Sequence, residues 1–326
     1  MRTPLLRRLA ALAGAGLLAT VTAGCGLGTS AGFTASGQLS GPLRNVKSLS
    51  GLNIGVGSKN FTEQLVLGKM AVILLKSAGA NVQDLTNIPG STSAREAELQ
   101  NVVGMEWEYT GTAWIEYLGH DNPIPSSHGQ YEAVRKEDLA KHKLSWLPPA
   151  PMNDTYGFAT TSAKAKKLGV STLADIAKLP TNERTFCVES EFKNRNDGFE
   201  PMLAAYGLKG KVPPGNVKTL QTGAIYEATH QGVCNFGEVF TTDGRIKALD
   251  LKVLSDNKHF FPIYSLSAVF RQDVLRKYPQ LKQLFDPVSA KLTNQTLTKL
   301  NEEVDVQGKK PSDVAYNWLK KEGFVS

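Results

Sequence analysis

The first part of the chain alternates between strand-like and helix-like hydrophobic patterns. LNIGVG, from residue 52, predicts a strand, FTEQLVLGKMAVILLKSAG predicts a helix that ends at Gly79, and VQDLTNI predicts a second strand. Ser93 and Glu96 have the spacing of a capping box and predict a helix from there to about Val103, after which GMEWEYT is extended. This βαβα order with short connections indicates a mostly parallel sheet covered by helices on both faces.

A second series of the same kind begins near TYGFATT. Strand-like patterns occur in TFCVES, VKTL, VCNFGEVF and KVLSDN, and helical patterns occur in DGFEPMLAAYG and TGAIYEATHQG. FFPIYSLSAVF is then strand-like, and helices punctuated by Pro279, Pro287 and Pro311 follow from Arg271 to the end. The Pro- and Asn-containing stretches PMNDTYG and SDNKHFFPIY mark two crossings between lobes. We therefore expect an α/β protein with two lobes and a cleft lined by strand ends, where open α/β sheets bind ligands.

Two of the predicted strand ends carry candidate binding chemistry. Tyr109 ends GMEWEYT and is followed by the small residues Thr-Gly-Thr, which puts a large ring at the expected cleft. GVGSKN, residues 55–60, resembles a dinucleotide fingerprint in which Asn60 replaces the third glycine. The amides at the start of the next helix and Lys59 predict an anion-binding corner. A plain tight turn with a solvated lysine explains the same residues equally well.

The first 24 residues have the pattern of a signal peptide. A basic start, a short apolar run and the small residues before Cys25 fit a cleaved leader, and the run is too short for a membrane-spanning helix. TAGC resembles a bacterial lipobox, with Thr22 where an aliphatic residue is more usual, so Cys25 is the expected lipidation site. Ordinary secretion with cleavage nearby is the alternative. Residues 25–45 are rich in Gly, Ser and Thr and predict a flexible tether.

The two remaining cysteines, Cys187 and Cys234, lie in apolar runs that both read as strands. Outside the cytoplasm a lone pair of cysteines commonly forms a disulfide, and neighbouring strands would bring these two together. We expect such a bridge, with a structural role only. Two buried free thiols are the alternative.

Composition and charge exclude several classes of function. The chain has 326 residues, 41% of them hydrophobic, and a formal charge of +7, which falls to +4 once the leader removes Arg2, Arg7 and Arg8. Without a run of five or six like charges, this balance does not imply nucleic-acid binding. It is the composition of a folded globular protein.

No catalytic or metal-binding set emerges from the sequence. The five histidines lack metal-ligand spacing, no Gly-x-Ser-x-Gly elbow is present, and neither cysteine has a base nearby in the sequence. Glu106 and Glu108 flank Trp107 on the opposite face of the strand, and solvated side chains explain them as well as catalysis does. We expect no enzyme activity, no metal and no cofactor.

Six separated stretches together resemble the substrate-binding proteins of osmoprotectant ABC importers, which take glycine betaine, carnitine, choline or proline betaine. The stretches are GSKNFTEQLVLGKM, WEYTGT, NDTYGF, ESEFKNRNDGF, VFTTDGRI and FFPIY. The resemblance implies a two-lobed periplasmic-binding-protein fold of type II that closes on its ligand. It covers nearly the whole chain from about Leu52.

The resemblance also implies a set of ligand-binding residues. An aromatic cage around a quaternary ammonium falls on Tyr109, Tyr156, Phe240 and Tyr264, and a carboxylate clamp falls on Lys59, Thr112 and Arg195. Asp154 matches an acid near the cation. Taken singly, Tyr109 and Tyr264 are more typical of a core at a strand end, and Tyr156 and Phe240 could pack at a crossing. Arg195 could belong to a solvated loop and Asp154 to a turn. Tyr226 has helical spacing with its apolar neighbours and is interpreted as a packing residue.

One cage position departs from the family. Phe240 stands where these proteins usually carry a tyrosine, so the ring face that attracts a cation is kept and the hydroxyl is lost. We expect binding to survive and either affinity or ligand preference to differ from the usual family pattern.

The implied organisation is a signal peptide over residues 1–24, a tether over 25–45, lobe 1 over 46–153 and 259–326, and lobe 2 over 154–258. The expected function is capture of a quaternary-ammonium solute by a lipid-anchored monomer, with delivery to an ABC permease and its ATPase. Two alternatives stay open: a receptor for another small cationic or zwitterionic solute such as an amino acid or polyamine, and an exported enzyme on a similar scaffold. A polyamine site would show several cleft carboxylates, and Asp154 is the one evident in the sequence.

Overall fold

The computed structural model describes residues 35–326. The predicted signal peptide, Cys25 and the first part of the predicted tether lie outside the described residues. Within 35–326, no helix has the length and apolar character needed to cross a membrane.

Within the described residues, ten strands form two five-stranded sheets. In chain order the strands are β1 (Asn53–Lys59), β2 (Asn81–Ile88), β3 (Met105–Tyr109), β4 (Leu144–Trp146), β5 (Tyr156–Thr161), β6 (Phe186–Val188), β7 (Val217–Thr219), β8 (Phe236–Phe240), β9 (Leu251–Val253) and β10 (Leu266–Arg271). The first sheet has the order β2-β1-β3-β10-β4 and the second has the order β7-β6-β8-β5-β9. We call the first sheet and the helices packed on it lobe 1, and the second sheet and its helices lobe 2.

Each sheet has four strands in one direction and one reversed strand. In lobe 1, β10 pairs antiparallel with β3 and β4, while β1 pairs parallel with β2 and β3. In lobe 2, β5 is reversed in the same way between β8 and β9. Both reversed strands come directly after a crossing between the lobes. The reversal places the start of β5 and of β10 at the sheet edge where the neighbouring strands end.

The helices cover both faces of the sheets. In chain order they are α1 (Thr62–Ser77), α2 (Gly90–Leu99), α3 (Thr110–Thr112), α4 (Ser127–His142), α5 (Ser162–Leu168), α6 (Ser190–Asn194), α7 (Phe199–Ala205), α8 (Thr222–His230), α9 (Arg245–Ala248), α10 (Gln272–Lys277), α11 (Leu281–Ser289), α12 (Asn294–Asp305) and α13 (Pro311–Lys321). Helix α1 is buried along most of its length because it packs against the lobe 1 sheet on one side and α12 and α13 on the other.

Three local predictions were wrong. The helix predicted to start at Ser93 starts at Gly90, because the positive φ of Gly90 lets the chain turn directly after Pro89. Pro287 lies inside α11, where the buried side chains of that helix hold it against the core. FFPIY is not part of a strand: β10 begins at Leu266, since Pro262 removes a backbone donor from the segment before it.

Each lobe has its own apolar core. In lobe 1, the Trp107 and Phe285 rings are 5.8 Å apart, and both are buried between the sheet and α11. In lobe 2, Phe158, Phe186 and Phe199 pack edge to face or tilted, with Phe158 and Phe186 5.5 Å apart. Two separate cores leave the space between the lobes free for a ligand.

The folded body includes part of the predicted tether. The Ser40 amide donates to the Phe324 carbonyl at 2.9 Å, Leu39 forms a bridge with Val325, and Leu43 is buried in the lobe 1 core. Residues 39–43 are therefore packed against the C-terminal segment.

Cys187 and Cys234 form a disulfide in lobe 2, with their Cα atoms 5.7 Å apart. Cys187 lies in β6, and Cys234 lies two residues before β8, which pairs with β6. The bridge closes a loop of 47 residues. It links β6 to the segment that leads into β8.

Candidate ligand-binding site

A cavity of ≈ 440 Å³ lies between the two lobes. This volume falls in the range of about 300–1,000 Å³ that is usual for small-molecule pockets. Its wall is built from the ends of β1, β3 and β8, the starts of β5 and α2, helix α6 and the crossing before β10. The expected cleft at strand ends is therefore present as a cavity between the lobes.

Five aromatic rings form a continuous wall around this cavity. In spatial order they are Tyr109, Phe61, Phe240, Tyr156 and Tyr264, with successive ring centroids 6.2, 5.0, 5.3 and 5.5 Å apart. The structure thus brings the four predicted cage residues together on one cavity. Phe61 completes the series and was not predicted, although it lies within the stretch GSKNFTEQ that resembles the family.

The hydroxyls of two cage tyrosines are bound by buried acids. The Tyr109 hydroxyl donates to Glu63 Oε1 at 2.7 Å, and the Tyr264 hydroxyl donates to Asp197 Oδ2. Burial, with the neighbouring carboxylates, raises the pKa of Tyr109 and of Tyr264 well above its usual value, so both phenols stay neutral. These bonds hold the rings in fixed orientations.

Asp154 is the acid in the aromatic part of the wall. It is buried, and its Oδ1 accepts the Thr242 amide at 3.1 Å. Burial raises the pKa of Asp154 well above its usual range, and the nearby Glu63 carboxylate raises it further. A cation in the cavity would oppose both effects and favour the ionised form.

A polar corner lies next to the rings. Lys59 Nζ is 2.6 Å from Glu108 Oε1 and 5.1 Å from the centre of the Tyr109 ring, and Thr112 follows Tyr109 in the wall. The Tyr117 hydroxyl donates to the other oxygen of Glu108 at 2.7 Å and fixes that carboxylate. Since Glu108 takes one of the three ammonium hydrogens, Lys59 keeps donors for a ligand.

Arg195 does not line the cavity, although the resemblance implied that it would clamp a ligand carboxylate. Its Nε and Nη2 donate to the two oxygens of Asp197 at 2.7 and 2.8 Å, and its Nη1 donates to Glu191 Oε1 at 3.3 Å. The guanidinium lies 5.5 Å from the Tyr156 ring centre. Asp197, two residues further along, offers the fork geometry that a guanidinium prefers and holds Arg195 behind the ring.

Two more acids line the cavity, Glu189 and Glu191. The sequence pointed to Asp154 alone as a cleft acid, and this prediction was wrong. Glu189 Oε2 accepts the amides of Glu191 and Phe192 as the N-cap of α6. Burial acts to raise the pKa of Glu191, but the bond from Ser91 and the charges of Lys59 and Arg195 outweigh it and lower the pKa.

The lobes touch on both sides of the cavity. On one side the Ser91 amide donates to Glu191 Oε2 at 3.0 Å and the Asn196 amide donates to Glu116 Oε1 at 3.1 Å. On the other side Thr242 of lobe 2 donates through its hydroxyl to Glu63 of lobe 1 at 2.6 Å. The structure is therefore a closed form.

Tyr226 is buried on α8 outside the cavity wall, in keeping with its interpretation as a packing residue. Its hydroxyl accepts the Phe240 amide at 3.0 Å, which fixes the end of β8. Among residues 35–326, no group of three or more His, Cys, Asp and Glu side chains has an arrangement that would hold a metal ion.

A closed aromatic cavity between two α/β lobes is the arrangement of a solute-binding protein. Residues 53–321 match the family model described as the substrate binding domain of ABC-type glycine betaine transport systems. The chain belongs to this family, and it is an extracytoplasmic substrate-binding protein of an ABC transport system. The predicted family and the predicted two-lobed α/β fold are confirmed.

Similar proteins agree with this assignment. The chain is 33% identical over 273 residues to a glycine-betaine-binding protein of Pseudomonas aeruginosa, covering 81% of this chain and 86% of that one. It is 30% identical over 270 residues to a Helicobacter pylori ergothioneine transport permease/ergothioneine binding protein, and spans 47% of that longer protein's length. A solved glycine betaine/carnitine/choline ABC transporter structure matches with a TM-score of 0.68 and 28% identity, covering 82% of this chain and 98% of that one.

Proposed function

We propose that this protein captures a small quaternary-ammonium solute in the cavity between its lobes and delivers it to an ABC permease. The observation that carries the proposal is the wall of five rings, contributed by both lobes and closed by Asp154. The relatives named for glycine betaine and ergothioneine support it, because both ligands carry a trimethylammonium group. The aromatic cage, the polar corner and Asp154 are the binding residues in this proposal.

The rings suit a methylated cation for a chemical reason. A trimethylammonium group has no N–H to donate, so recognition depends on ring faces, each contributing roughly 0.5–2 kcal/mol when water is excluded. Five rings then supply much of the roughly 8 kcal/mol that a micromolar dissociation constant represents. Phe240 contributes the ring face that attracts a cation and lacks the hydroxyl of a tyrosine.

The polar corner favours a ligand that also carries a carboxylate. Lys59 supplies a positive charge and free donors, and Thr112 supplies a hydroxyl, at one side of the aromatic wall. A zwitterion such as glycine betaine, carnitine or ergothioneine would use both parts of the cavity. Choline would use the rings alone. In this proposal Arg195 acts on the ligand only through Tyr156.

Glu189 and Glu191 favour one second candidate, a polyamine. Three acids in one wall provide charge for more than one amine. Both glutamates are, however, already bound by backbone amides, and Glu191 also by Arg195. A polyamine would have to compete with these contacts, so the quaternary-ammonium ligand fits better.

Calorimetric titration with glycine betaine, carnitine, choline, proline betaine, ergothioneine and spermidine tests the proposal. We expect a trimethylammonium zwitterion to bind best, and Tyr109→Ala to weaken it by about tenfold or more, as loss of a cage ring predicts. Thr160→Val is the matched control, because this buried hydroxyl has no partner and lies outside the cavity wall. Tight binding of spermidine with no binding of the methylated ligands would contradict the proposal.

We also propose that the mature protein is a monomer held to the outer face of the membrane by a lipid on Cys25. The lipobox-like TAGC supports the anchor. Labelling of cells with a fatty acid should mark the wild-type chain and leave Cys25→Ala unlabelled and free of the membrane fraction. Retention of Cys25→Ala at the membrane would contradict the lipid anchor.

A further inference from the structure

Glu63 joins the cage to the contact between the lobes. It lies in the first turn of α1, buried, and does not itself line the cavity. Its Oε1 accepts the hydroxyl of the cage residue Tyr109 at 2.7 Å. Its Oε2 accepts the Thr242 hydroxyl at 2.6 Å and the Asn301 side-chain amide at 3.0 Å. One carboxylate therefore contacts β3 and α12 of lobe 1 and a loop of lobe 2.

Thr242 is the lobe 2 partner in this contact. It follows β8 by two residues, so it is tied in sequence to the cage residue Phe240. Besides its bond to Glu63, its amide donates to Asp154 at 3.1 Å and its carbonyl accepts from Asn301 at 3.0 Å. All three polar groups of Thr242 are thus bound to lobe 1 or to the first crossing.

We propose that Glu63 is a positioning residue that fastens the closed lobes through Thr242 and, in the same step, fixes Tyr109 against the ligand. Closure brings the Thr242 hydroxyl to Glu63. The bond between them holds the Glu63 side chain where it can accept the Tyr109 hydroxyl and orient the Tyr109 ring. We call Glu63, Thr242 and Asn301 the closure contact. The role of Tyr109 at the ligand rests on the proposed function, whereas the fastening of the lobes does not.

The closure contact makes closing depend on pH. The titratable groups around Glu63 are Tyr109 on β3, Asp154 on the crossing and Asp243 after Thr242. Arg245 binds Asp243 and contacts Asp305, whose carboxylate also accepts the hydroxyl of Thr62, the residue before Glu63. Opening would expose Glu63 and Asp154 to water and separate them from Asp243, the acid in lobe 2.

The sign of the pH effect follows from burial. Burial raises the pKa of Glu63 in the closed form, and the bonds from Thr242, Tyr109 and Asn301 only partly oppose this. A group whose pKa is higher in the closed form takes up a proton on closing. This contribution to closure is therefore complete at a pH below the usual pKa of a carboxyl group. It is lost as the pH rises through the raised pKa of the closed form.

The first test removes the hydroxyl of Thr242 and measures lobe distance directly. Spin labels on cysteines at Val102 in lobe 1 and Lys218 in lobe 2, both exposed, report closure in protein secreted with Cys25→Ala. We expect Thr242→Val to reduce the closed fraction and to weaken the binding of glycine betaine by about two- to tenfold, the fold-change that corresponds to the loss of one hydrogen bond. Thr160→Val, which removes a buried hydroxyl without a partner, should change neither.

The second test separates the closure contact from the ligand. Ligand-free wild-type protein should close further between pH 8 and pH 5.5, and Thr242→Val should have the smaller closed fraction at both pH values. Glu63→Gln, which keeps the shape and cannot titrate, should bind glycine betaine at pH 5.5 within about threefold of wild type and show a flatter pH profile.

Each outcome has a distinct meaning. If wild-type protein closes with falling pH but does not bind glycine betaine, the inference stands and the proposed ligand is wrong. If Thr242→Val has the same melting temperature, closed fraction and affinity as wild type, the inference is overturned. An unchanged pH profile in Glu63→Gln would likewise overturn it.

Discussion

Tyr156 and Phe240 are register partners in the β5–β8 pair, and their rings lie 5.3 Å apart in the cavity wall. One is the first residue of its strand and the other is the last. Because the two strands are antiparallel, both residues fall at the same edge of the lobe 2 sheet. Strand pairing alone therefore places two of the five rings beside each other, before any ligand is present.

The Phe240 position tests how much of the binding comes from the ring face. We expect Phe240→Leu, which keeps an apolar side chain without a π-system, to lose roughly 0.5–2 kcal/mol of glycine betaine affinity. Phe240→Tyr should stay close to wild type, since it keeps the face and restores the usual family residue. Titration calorimetry measures both. Equal affinity for Phe240→Leu and wild type would remove this ring from the cage.

The Lys59–Glu108 pair tests the polar corner. Removing Lys59 alone would leave Glu108 buried without its cation, which destabilises a protein by about 3–5 kcal/mol. The paired change Lys59→Met with Glu108→Gln avoids this. We expect the double variant to bind glycine betaine about tenfold more weakly and to lose much less of its affinity for choline, because only glycine betaine has a carboxylate. An equal loss for both ligands, measured side by side, would place the carboxylate elsewhere.

Asp154 is expected to reduce stability and to favour binding. Its carboxylate is buried near Glu63, and both pKa values are raised, mainly by burial. Asp154→Asn should therefore raise the free energy of unfolding of the ligand-free protein at pH 8 by about 1 kcal/mol and weaken a cationic ligand by about tenfold. The stability gain should disappear as the pH falls through the raised pKa values, where Asp154 itself is protonated. Denaturant unfolding at pH 8 and pH 5 measures this, and an equal gain at both values would contradict the assignment.

The disulfide is expected to stabilise lobe 2 without affecting the ligand. Closing a loop of 47 residues contributes about 2–4 kcal/mol to the free energy of unfolding. We expect Cys187→Ala with Cys234→Ala to lose this amount in denaturant unfolding. Affinity should change by less than about twofold, because neither cysteine lines the cavity. A large loss of affinity in a variant that is still folded would link the bridge to closure.

Local pattern predicted most of the elements because strands and helices alternate with clear hydrophobic periods. It also placed Tyr109 and Phe240 at strand ends, and β3 and β8 do end at these residues. The family resemblance, and not the local pattern, pointed to Tyr264, which lies in an irregular segment. Local pattern failed where backbone turns decide the boundary, as at Gly90.

The rest of the site depends on contacts between residues far apart in the chain. Phe61 precedes a helix and could be read as its first apolar residue, and only the fold brings its ring to Phe240. Arg195 could bind a ligand carboxylate by its chemistry, but its guanidinium is paired with the carboxylate of Asp197. Glu63 is a polar residue in the first turn of a helix by sequence. Its partner Thr242 is separated from it by 179 positions, so no local signal reveals the pair.

The reversed strands β5 and β10 begin directly after the two crossings, and Tyr156 and Tyr264 lie at or just before these starts. Their mutual contact is thus located at the pivot of any hinge motion. Phe61 and Phe240 meet across the cleft, one from each lobe. Opening of the lobes would separate Phe61 from Phe240 and leave Tyr156 in contact with Tyr264 at the hinge. The open form would then present part of the aromatic wall to a solute that enters from the side of Phe61 and Phe240.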